Sequence, residues 1–259
     1  MSYVYGDGFF NYIDEGAARS ARLVIAQALS WLKPTSVLDL GCGRGAWLAE
    51  WRRSGVGQVV GVDGDYVDRD RLYVDASEFH PADLSASLDL SERFDLVQSL
   101  EVAEHLPAAS AAGFVASLCR HGDLVLFSAA VIGQGGENHV NERPLEYWRA
   151  LFAEHGYLPY DCVRPAVAEH TEIEPWYRYN TLLYANADGQ QRLPPNVTTA
   201  LVAADQPLAV FAPLGWRLRL ALVGAMPRGM VDGIARVLAR VNVQRQTWRA
   251  ARGLGDQST

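Results

Sequence analysis

The fold is decided by the stretch Ser36-Val37-Leu38-Asp39-Leu40-Gly41-Cys42-Gly43-Arg44-Gly45-Ala46-Trp47. A short apolar run with one acid inside it precedes glycines at alternate positions, and an apolar and polar helical pattern follows up to Trp51. This order predicts a strand, a glycine turn and a helix. Glycine tolerates positive φ and lets a ligand approach the backbone, while the helix N-terminal amides face that ligand. The stretch therefore predicts the first crossover of a nucleotide-binding α/β domain.

Two kinds of nucleotide fit this glycine turn. Gly41, Gly43 and Ala46 satisfy the dinucleotide pattern, and Asp63 follows Gly43 by 20 residues, where a ribose-binding acid would stand. Asp39, however, lies two residues before the glycines, where its carboxylate receives an amino-acid ammonium and repels a pyrophosphate. The turn also lacks a lysine to hold phosphates. We therefore expect S-adenosylmethionine (SAM) rather than NAD.

Three later side chains extend the predicted cofactor site. Asp63 ends a second predicted parallel strand and is placed to take both ribose hydroxyls. Asp83 is placed to accept a hydrogen bond from the adenine amino group, or else it caps the segment that follows. Ser99, near the carboxyl end of the fourth predicted strand, completes the set of cofactor-binding candidates.

The remaining pattern predicts the other elements of an α/β domain. They are a helix over 17–32, a third strand over 71–74, a loop over 79–84, a fourth strand over 94–100, a fifth over 123–128, a helix over 145–155 and two last strands over 157–163 and 181–185. The aromatic segment 174–180 between the last two strands suits stacking on a sugar or a planar acceptor, and it suits core packing equally well.

Two carboxylates and an imidazole follow the fourth predicted strand. Glu101, Glu104 and His105 share one face if the segment turns helically, because they are three and four residues apart. Oxygen and nitrogen donors without a thiol suit Mg²⁺, Mn²⁺ or Fe²⁺. His139, in the glycine-rich loop after the fifth strand, is the candidate fourth ligand or a general base. The alternative is a solvated turn, with His105 packed on the next helix and His139 an ordinary loop histidine.

Composition and charge bound the possible functions. The chain has 259 residues, 49% of them hydrophobic, which is ample for a core, and its net charge of −7 argues against general nucleic-acid affinity. Residues 1–206 hold 28 acidic and 15 basic residues, whereas residues 207–259 hold two acidic residues against eight arginines. Three widely spaced cysteines predict no disulfide scaffold. With no signal peptide and no 18-residue apolar run recognised, the cytoplasm is the expected compartment.

Three regions are predicted. Residues 1–33 form an N-terminal arm and helix that serves as a lid or as packing, residues 34–186 form the SAM-binding catalytic domain, and residues 187–259 form a basic helical extension. Residues 200–254 predict two or three helices, with an amphipathic pattern over 236–243. Three roles suit the extension: packing or homodimerisation on the acidic domain, peripheral contact with a membrane surface, or binding of an anionic acceptor.

Four ordered blocks carry a family resemblance. They are Val37 to Gly45, Val62-Asp63, Ala82 to Leu84, and Phe94 to Val97 leading into Glu101 to Leu106. Over about residues 9–186 the chain resembles class I SAM-dependent methyltransferases. The resemblance implies a Rossmann-like, seven-stranded, mostly parallel sheet with a terminal antiparallel hairpin. It also implies that the cofactor meets Asp39, Gly41, Gly43, Asp63 and Asp83.

A finer resemblance concerns the acceptor chemistry. Glu101, Glu104 and His105 followed by His139 are similar to the metal-binding pattern of small-RNA 2′-O-methyltransferases and, in part, of ubiquinone-pathway O-methyltransferases, where a divalent ion grips acceptor hydroxyls. The loop 133–142 resembles bacterial methyltransferases of polysaccharide and other sugar biosynthesis. The catalytic region lacks a basic face, which argues against RNA.

These resemblances imply a SAM-dependent O-methyltransferase acting on a hydroxyl of a sugar or saccharide, assisted by Mg²⁺ or Mn²⁺. The catalytic candidates are Glu104, His105 and His139, and the metal ligands add Glu101. Two alternatives remain open: a metal-independent enzyme in which a histidine is the general base, and a SAM-binding scaffold without catalysis.

Overall fold

One sheet organises the chain. The computed structural model describes residues 7–209, 211–227, 229–231, 233, 234 and 237, with side chains described from Asp14 onward. Seven strands of this part form the sheet in the order β3-β2-β1-β4-β5-β7-β6. They are β1 Ser36–Leu40, β2 Gln58–Asp63, β3 Phe79–Pro81, β4 Leu96–Leu100, β5 Leu124–Ser128, β6 Leu158–Tyr160 and β7 Leu182–Ala185. Strand β7 pairs antiparallel with both β5 and β6, and the other four pairs of the sheet are parallel, so the predicted fold class is confirmed.

Helices cover both faces of the sheet. Within the described residues they are α1 Asp7–Leu29, α2 Ala46–Arg53, α3 Ala111–His121, α4 Leu145–Ala153, α5 Val163–Val167, α6 Pro175–Asn180, α7 Ala187–Gln191, α8 Pro195–Thr198 and α9 Leu214–Gly224. One apolar core joins α1, α2 and α5 to one face of the sheet, and a second joins α3 and α4 to the other. Two buried faces explain why the strands read as continuous apolar runs.

The parallel strands end at a common edge. Gly41 follows β1, Asp63 ends β2, Glu101 follows β4 and Ala129 follows β5. In open α/β sheets, ligands bind outside the carboxyl ends of the strands. The topology therefore places the predicted SAM site and the predicted metal site side by side.

The predicted third strand was assigned to the wrong segment. Residues 71–74 form no strand: a 3₁₀ turn ends at Arg71, and the amide of Tyr73 bonds the carbonyl of Arg44 instead of a neighbouring strand. The strand is β3, within the predicted loop, and it pairs with the end of β2 from Gly61 to Asp63. A three-residue edge strand that ends in proline carries too little periodicity to be recognised.

Several predicted boundaries were also wrong. Helix α1 begins by Asp7 and ends at Leu29, instead of spanning residues 17–32, and residues 1–6 of the predicted lid lie outside the described residues. The sixth strand stops at Tyr160, and Val163 begins α5. The aromatic segment is helix α6, which begins with Pro175 at its first position.

Helix α1 is tied to the glycine turn. The guanidinium of Arg44 and the carboxylate of Asp14 form an ion pair of 2.6 Å, and both side chains are buried. Removing one partner of a buried ion pair strongly destabilises a fold, because the remaining charge is left unpaired. The pair holds α1 beside the turn, while its predicted function as a lid stays a prediction.

The extension begins as part of the domain. Leu193 and Val197 are buried around α7 and α8, and Arg149 donates to the carbonyls of Val202 and Gln206. The predicted helix from residue 200 starts only at Leu214, and the pattern over 236–243 lies outside the described residues except for Val237. Among the described helices, none has both the length and the apolarity needed to cross a membrane.

Candidate functional site

The glycine turn between β1 and α2 presents an open backbone surface. Gly41, Gly43 and Gly45 have φ values of 91°, 54° and 84°, a region that disfavours other residues. A Cβ on Gly41 would lie 2.3 Å from a methyl group of Val102, whereas a Cβ on Gly43 would meet nothing within 4 Å. Gly41 is therefore required by packing, and Gly43 leaves space for a ligand.

We expect Gly41→Ala to destabilise the fold by roughly 2 to 5 kcal/mol, combining a left-handed backbone with overpacking. The clash involves only the side chain of Val102. The double variant Gly41→Ala/Val102→Ala should therefore recover the packing part and leave the backbone part. Urea unfolding of the parent, both single variants and the double variant measures this coupling. Strictly additive effects would show that the contact does not limit the turn.

Two buried acids lie beneath the turn. The carboxylate of Asp63 accepts from the amides of Gly43 at 2.7 Å and Gly64 at 2.6 Å, and from the hydroxyl of Tyr66 at 2.5 Å. Burial raises the pKa of Asp63, against the effect of these bonds. Burial likewise raises the pKa of Asp39 to about 7, although a hydrogen bond with Gln98 lowers it, and the nearby Asp63 raises it further. Such a pair favours a cationic ligand and disfavours a polyphosphate.

The other two cofactor candidates have different surroundings. Asp83 is exposed, and its carboxylate accepts from the amide and hydroxyl of Ser85, which lower its pKa. These bonds are those of a local turn, the capping alternative considered above. Ser99 is fully buried, and its hydroxyl has no hydrogen-bond partner within the described structure. Contact of either residue with the cofactor stays a prediction.

The structure brings together three of the four proposed metal ligands. Glu104 and His105 lie in a 3₁₀ turn, Ala103–His105, directly after β4, and His139 reaches them from the loop after β5. One potential ligand atom from each of the three lies within 4.8 Å of the other two. The two imidazole rings meet edge to face with centroids 4.9 Å apart.

Glu104 is the most unusual member of this cluster. Its side chain is fully buried, and neither carboxylate oxygen has a hydrogen-bond partner within the described structure. Burial raises its pKa well above the usual value, and the nearby Glu101 raises it further. The backbone N–H groups of Glu104 and Ala130 lower it in part, although their contacts with the carboxylate fall short of hydrogen-bond geometry. A buried carboxylate needs compensation by a cation, a proton or hydrogen bonds. Glu104 therefore fits a site for a positively charged ligand.

The two histidines are suited to donate lone pairs. Burial lowers the pKa of His105 to about 3, and the neighbouring His139 contributes to this shift. The Nδ1 atom of His105 lies 3.3 Å from the carbonyl of Asn138, and Nδ1 of His139 lies 2.9 Å from the carboxylate of Glu142. If each Nδ1 carries the proton of these bonds, each Nε2 keeps a lone pair for an ion. Neutral imidazole and carboxylate donors fit a divalent cation.

Glu101 differs from the prediction in its geometry. Its backbone has φ 59°, so it does not begin a helical turn with Glu104 and His105. Its carboxylate accepts from Nε2 of Gln134 at 2.5 Å and lies 3.5 Å from Nδ2 of Asn180. Glu101 is absent from the compact three-residue group, and its part as a fourth ligand stays a prediction.

Sequence reasoning missed three residues that support the cluster. Glu142 accepts from the amides of Gly133 and Gly135 at 2.8 and 2.7 Å, besides its contact with His139. Burial opposes ionisation of Glu142, but hydrogen bonds with His139 and these amides leave its pKa lowered. Gln134 and Asn180, 2.8 Å apart, hold the carboxylate of Glu101. The sequence did hold one signal for Glu142: it follows His139 by three residues in a glycine-rich loop.

A groove of about 320 Å³ opens next to the loop after β5. Its largely apolar walls come from the loop after β5, the end of α6 and residues 208–220, among them Ile132, Tyr179, Phe211 and Trp216. Asn180 also lines it, which connects the groove to Glu101. The volume is near the lower end of small-molecule sites, which span roughly 300 to 1,000 Å³.

The sheet order, the glycine turn and the acids at the ends of β1 and β2 define the class I methyltransferase fold. A family model described as a methyltransferase domain matches residues 13–162. The match covers more than half of the chain, and the chain belongs to this family.

Individual relatives match shorter regions. The ubiquinone biosynthesis O-methyltransferase of Rhodopseudomonas palustris (strain HaA2) is 35% identical over 86 residues, which are 31% of this chain and 34% of that protein. The enzyme of the same name from Bradyrhizobium sp. (strain ORS 278) is 32% identical over 123 residues, 45% of this chain and 48% of that protein. The matched region thus spans less than half the length of these relatives.

A solved structure shares the fold over a longer region. Magnesium protoporphyrin IX methyltransferase from Synechocystis PCC 6803, with bound SAH, aligns with a TM-score of 0.50 and 17% identity. The alignment covers 72% of this chain and 90% of that chain. At this identity the similarity concerns the fold alone.

Proposed function

We propose that this protein is a SAM-dependent O-methyltransferase that methylates a saccharide hydroxyl with the help of a divalent cation. The observation that carries the proposal is the buried, unpartnered carboxylate of Glu104 grouped with His105 and His139. Leaving such a carboxylate unpaired costs several kcal/mol, and a cation would remove that cost. Membership of the methyltransferase family supplies the reaction class.

The glycine turn and its acids would hold the cofactor. Gly43 offers an open backbone, Asp39 would attract the ammonium of the methionine moiety, and Asp63 would accept hydrogen bonds from the ribose hydroxyls. The bond between Asp63 and the hydroxyl of Tyr66 would then be exchanged for bonds to the ribose. The bound cofactor would then lie at the same edge of the sheet as Glu104.

The reaction would be an in-line displacement. The acceptor hydroxyl releases its proton to solvent water, and its oxygen forms a bond to the methyl carbon. The carbon–sulfur bond breaks at the same time, and the electron pair of that bond stays on sulfur in S-adenosylhomocysteine. Holding the three atoms in line supplies roughly 7 to 11 kcal/mol. A cation held by Glu104, His105 and His139 would lower the pKa of the hydroxyl, as zinc lowers that of water from about 15.7 to about 7. Glu142 fixes the ring of His139, and Gln134 with Asn180 fixes Glu101.

Two acceptor classes suit the groove. Aromatic walls such as Tyr179 and Trp216 suit the apolar face of a sugar ring, which is the acceptor that we propose. A phenolic acceptor is the second candidate, favoured by the largely apolar lining and by the partial match to the ubiquinone biosynthesis O-methyltransferases. Both classes present hydroxyls to the same cluster.

The metal-independent alternative uses the same geometry differently. With its Nδ1 held by Glu142, His139 would accept the acceptor's hydroxyl proton at Nε2. Glu142 would then stabilise the resulting imidazolium, as the carboxylate does in other histidine-based catalytic groups.

We expect methyl transfer from labelled SAM to one or more saccharides to be abolished by EDTA and restored by Mg²⁺ or Mn²⁺. The panel should contain mono- and oligosaccharides together with catechols, and SAM binding should be measured in parallel by calorimetry. EDTA should leave SAM affinity unchanged, because the glycine turn does not require the cation.

The other outcomes separate the alternatives. Transfer that EDTA does not affect would exclude a role for the metal and would indicate that His139 accepts the proton of the acceptor hydroxyl. Transfer to catechols but to no saccharide would show that the acceptor is a phenol. SAM binding without saturable transfer to any acceptor in the panel would favour the scaffold.

A further inference from the structure

Helix α9 carries two apolar faces. Trp216, Leu220 and Val223 are half-buried and face the domain, where Leu220 and Val223 lie against Gly133 and Gly135. The other face holds Leu214, Leu218 and Leu222, four residues apart and 69%, 56% and 66% exposed. A helix that packs on its own domain with one face normally presents polar side chains on the other. The outer face of α9 therefore fits a further apolar partner.

The exposed stripe continues beyond the end of α9. Met226, Met230, Ile234 and Val237 are all exposed, at intervals of four or three residues. With the three leucines they form what we call the outer stripe, a set of seven exposed apolar side chains. Exposed apolar side chains that recur at such intervals are typical of interaction sites.

The sequence that carries the outer stripe is rich in arginine. Residues 207–259 contain eight arginines and two aspartates. At the period of a helix, Arg217 falls on one flank of the three leucines, while Arg219, on the other flank, donates to the carbonyl of Gln134 on the domain. Arginine can extend from the flank of an apolar helix face toward polar groups at a surface. Apolar residues bordered by arginines are the pattern of helices that lie at a lipid–water interface.

We propose that the outer stripe, with Arg217 beside it and the arginine-rich sequence that carries it, docks this protein on an anionic lipid surface. A second copy of the chain fits less well, because joining two stripes would bring two arginine-rich segments together. The acidic catalytic domain is already contacted by the inner face of α9. An anionic bilayer meets both requirements at once, since it accepts the leucines and neutralises the arginines.

Vesicle flotation of the full-length protein tests this proposal without any methyl-transfer assay. The vesicles are phosphatidylcholine alone and phosphatidylcholine mixed with phosphatidylglycerol. We expect flotation with the anionic vesicles, weaker flotation with neutral ones, and loss of binding as salt rises from about 0.1 M to 1 M. Leu218→Glu/Leu222→Glu should weaken binding to anionic vesicles at least about tenfold.

Leu158→Glu is the matched control. It introduces one glutamate at an exposed leucine of the edge strand β6, outside the outer stripe, and should float like the parent. Leu158→Glu/Leu201→Glu, which matches the two charges of the stripe variant at exposed leucines, should do the same. Equal binding of the parent and the Leu218→Glu/Leu222→Glu variant, or no binding to anionic vesicles, overturns the proposal. A dimer seen by light scattering that the double substitution dissociates, without vesicle binding, assigns the stripe to a second copy. Retained SAM binding by all variants confirms that they fold.

Discussion

Glu104→Gln is expected to lower kcat by about 10²- to 10⁴-fold, the contribution of a positioned group that handles charge or protons in the reaction. The dissociation constant for SAM should stay within about twofold of the parent, because Glu104 lies outside the glycine turn. Calorimetry should show loss of Mn²⁺ binding in the same variant. Turnover, SAM affinity and metal affinity together separate a role in chemistry from a role in cofactor binding.

The same substitution should also raise the thermal stability of the metal-free protein. Burial raises the pKa of Glu104, so the metal-free fold must hold it either charged without a cation or protonated, whereas the unfolded chain keeps it ionised. Either state costs stability at pH 7, and a neutral amide carries neither cost. Glu50→Gln is the matched control. Glu50 is also a buried glutamate, but it pairs with Arg53 and Arg22, so its neutralisation should lower stability and leave turnover unchanged. Full activity in Glu104→Gln would eliminate the proposed cluster as the reaction centre.

Asp63→Asn is expected to raise the dissociation constant for SAM by roughly 10- to 100-fold, the loss of a charged hydrogen bond. Stability should fall by about 1 to 3 kcal/mol, because an amide oxygen cannot accept all three bonds that the carboxylate accepts now. Fluorescence titration with SAM and urea unfolding measure the two effects separately.

Tyr66→Phe serves as the control for this prediction. It removes one hydrogen bond to Asp63 while keeping the carboxylate and both amide contacts. SAM affinity should be unchanged or slightly higher, since the ribose no longer competes with the tyrosine hydroxyl. A larger loss in Tyr66→Phe than in Asp63→Asn would show that the tyrosine, and not the acid, contacts the cofactor.

The fold was predictable because its strongest signals are local. The apolar run that ends at Gly41, the apolar run that ends at Asp63 and the apolar run of β4 are each recognisable from neighbouring residues alone. Strand β3 and helix α6 were not predictable in the same way. Both are short, and tertiary pairing with β2 or packing beneath the sheet decides their conformation.

The candidate site was predictable in its components but not in its connections. The spacing in the sequence predicted that Glu104 and His105 lie together, and the polar, glycine-rich loop made His139 a candidate ligand. The structure brings all three side chains together. The left-handed backbone of Glu101 could not be read from its sequence, because that conformation is rare for glutamate. Gln134 and Asn180 lie 33 and 79 positions from Glu101 in the sequence, and only the folded chain brings them into contact with it.

Gln134 connects two remote parts of the molecule. Its side chain holds Glu101, while its carbonyl accepts from the guanidinium of Arg219 on α9 at 2.9 Å. A ligand that fixes α9 is therefore expected to restrict the loop that holds Glu101, and a ligand that contacts Glu101 is expected to restrict α9 in return. By thermodynamic linkage the two effects are equal. Acceptor binding should consequently strengthen attachment through α9 by the same factor by which attachment strengthens acceptor binding.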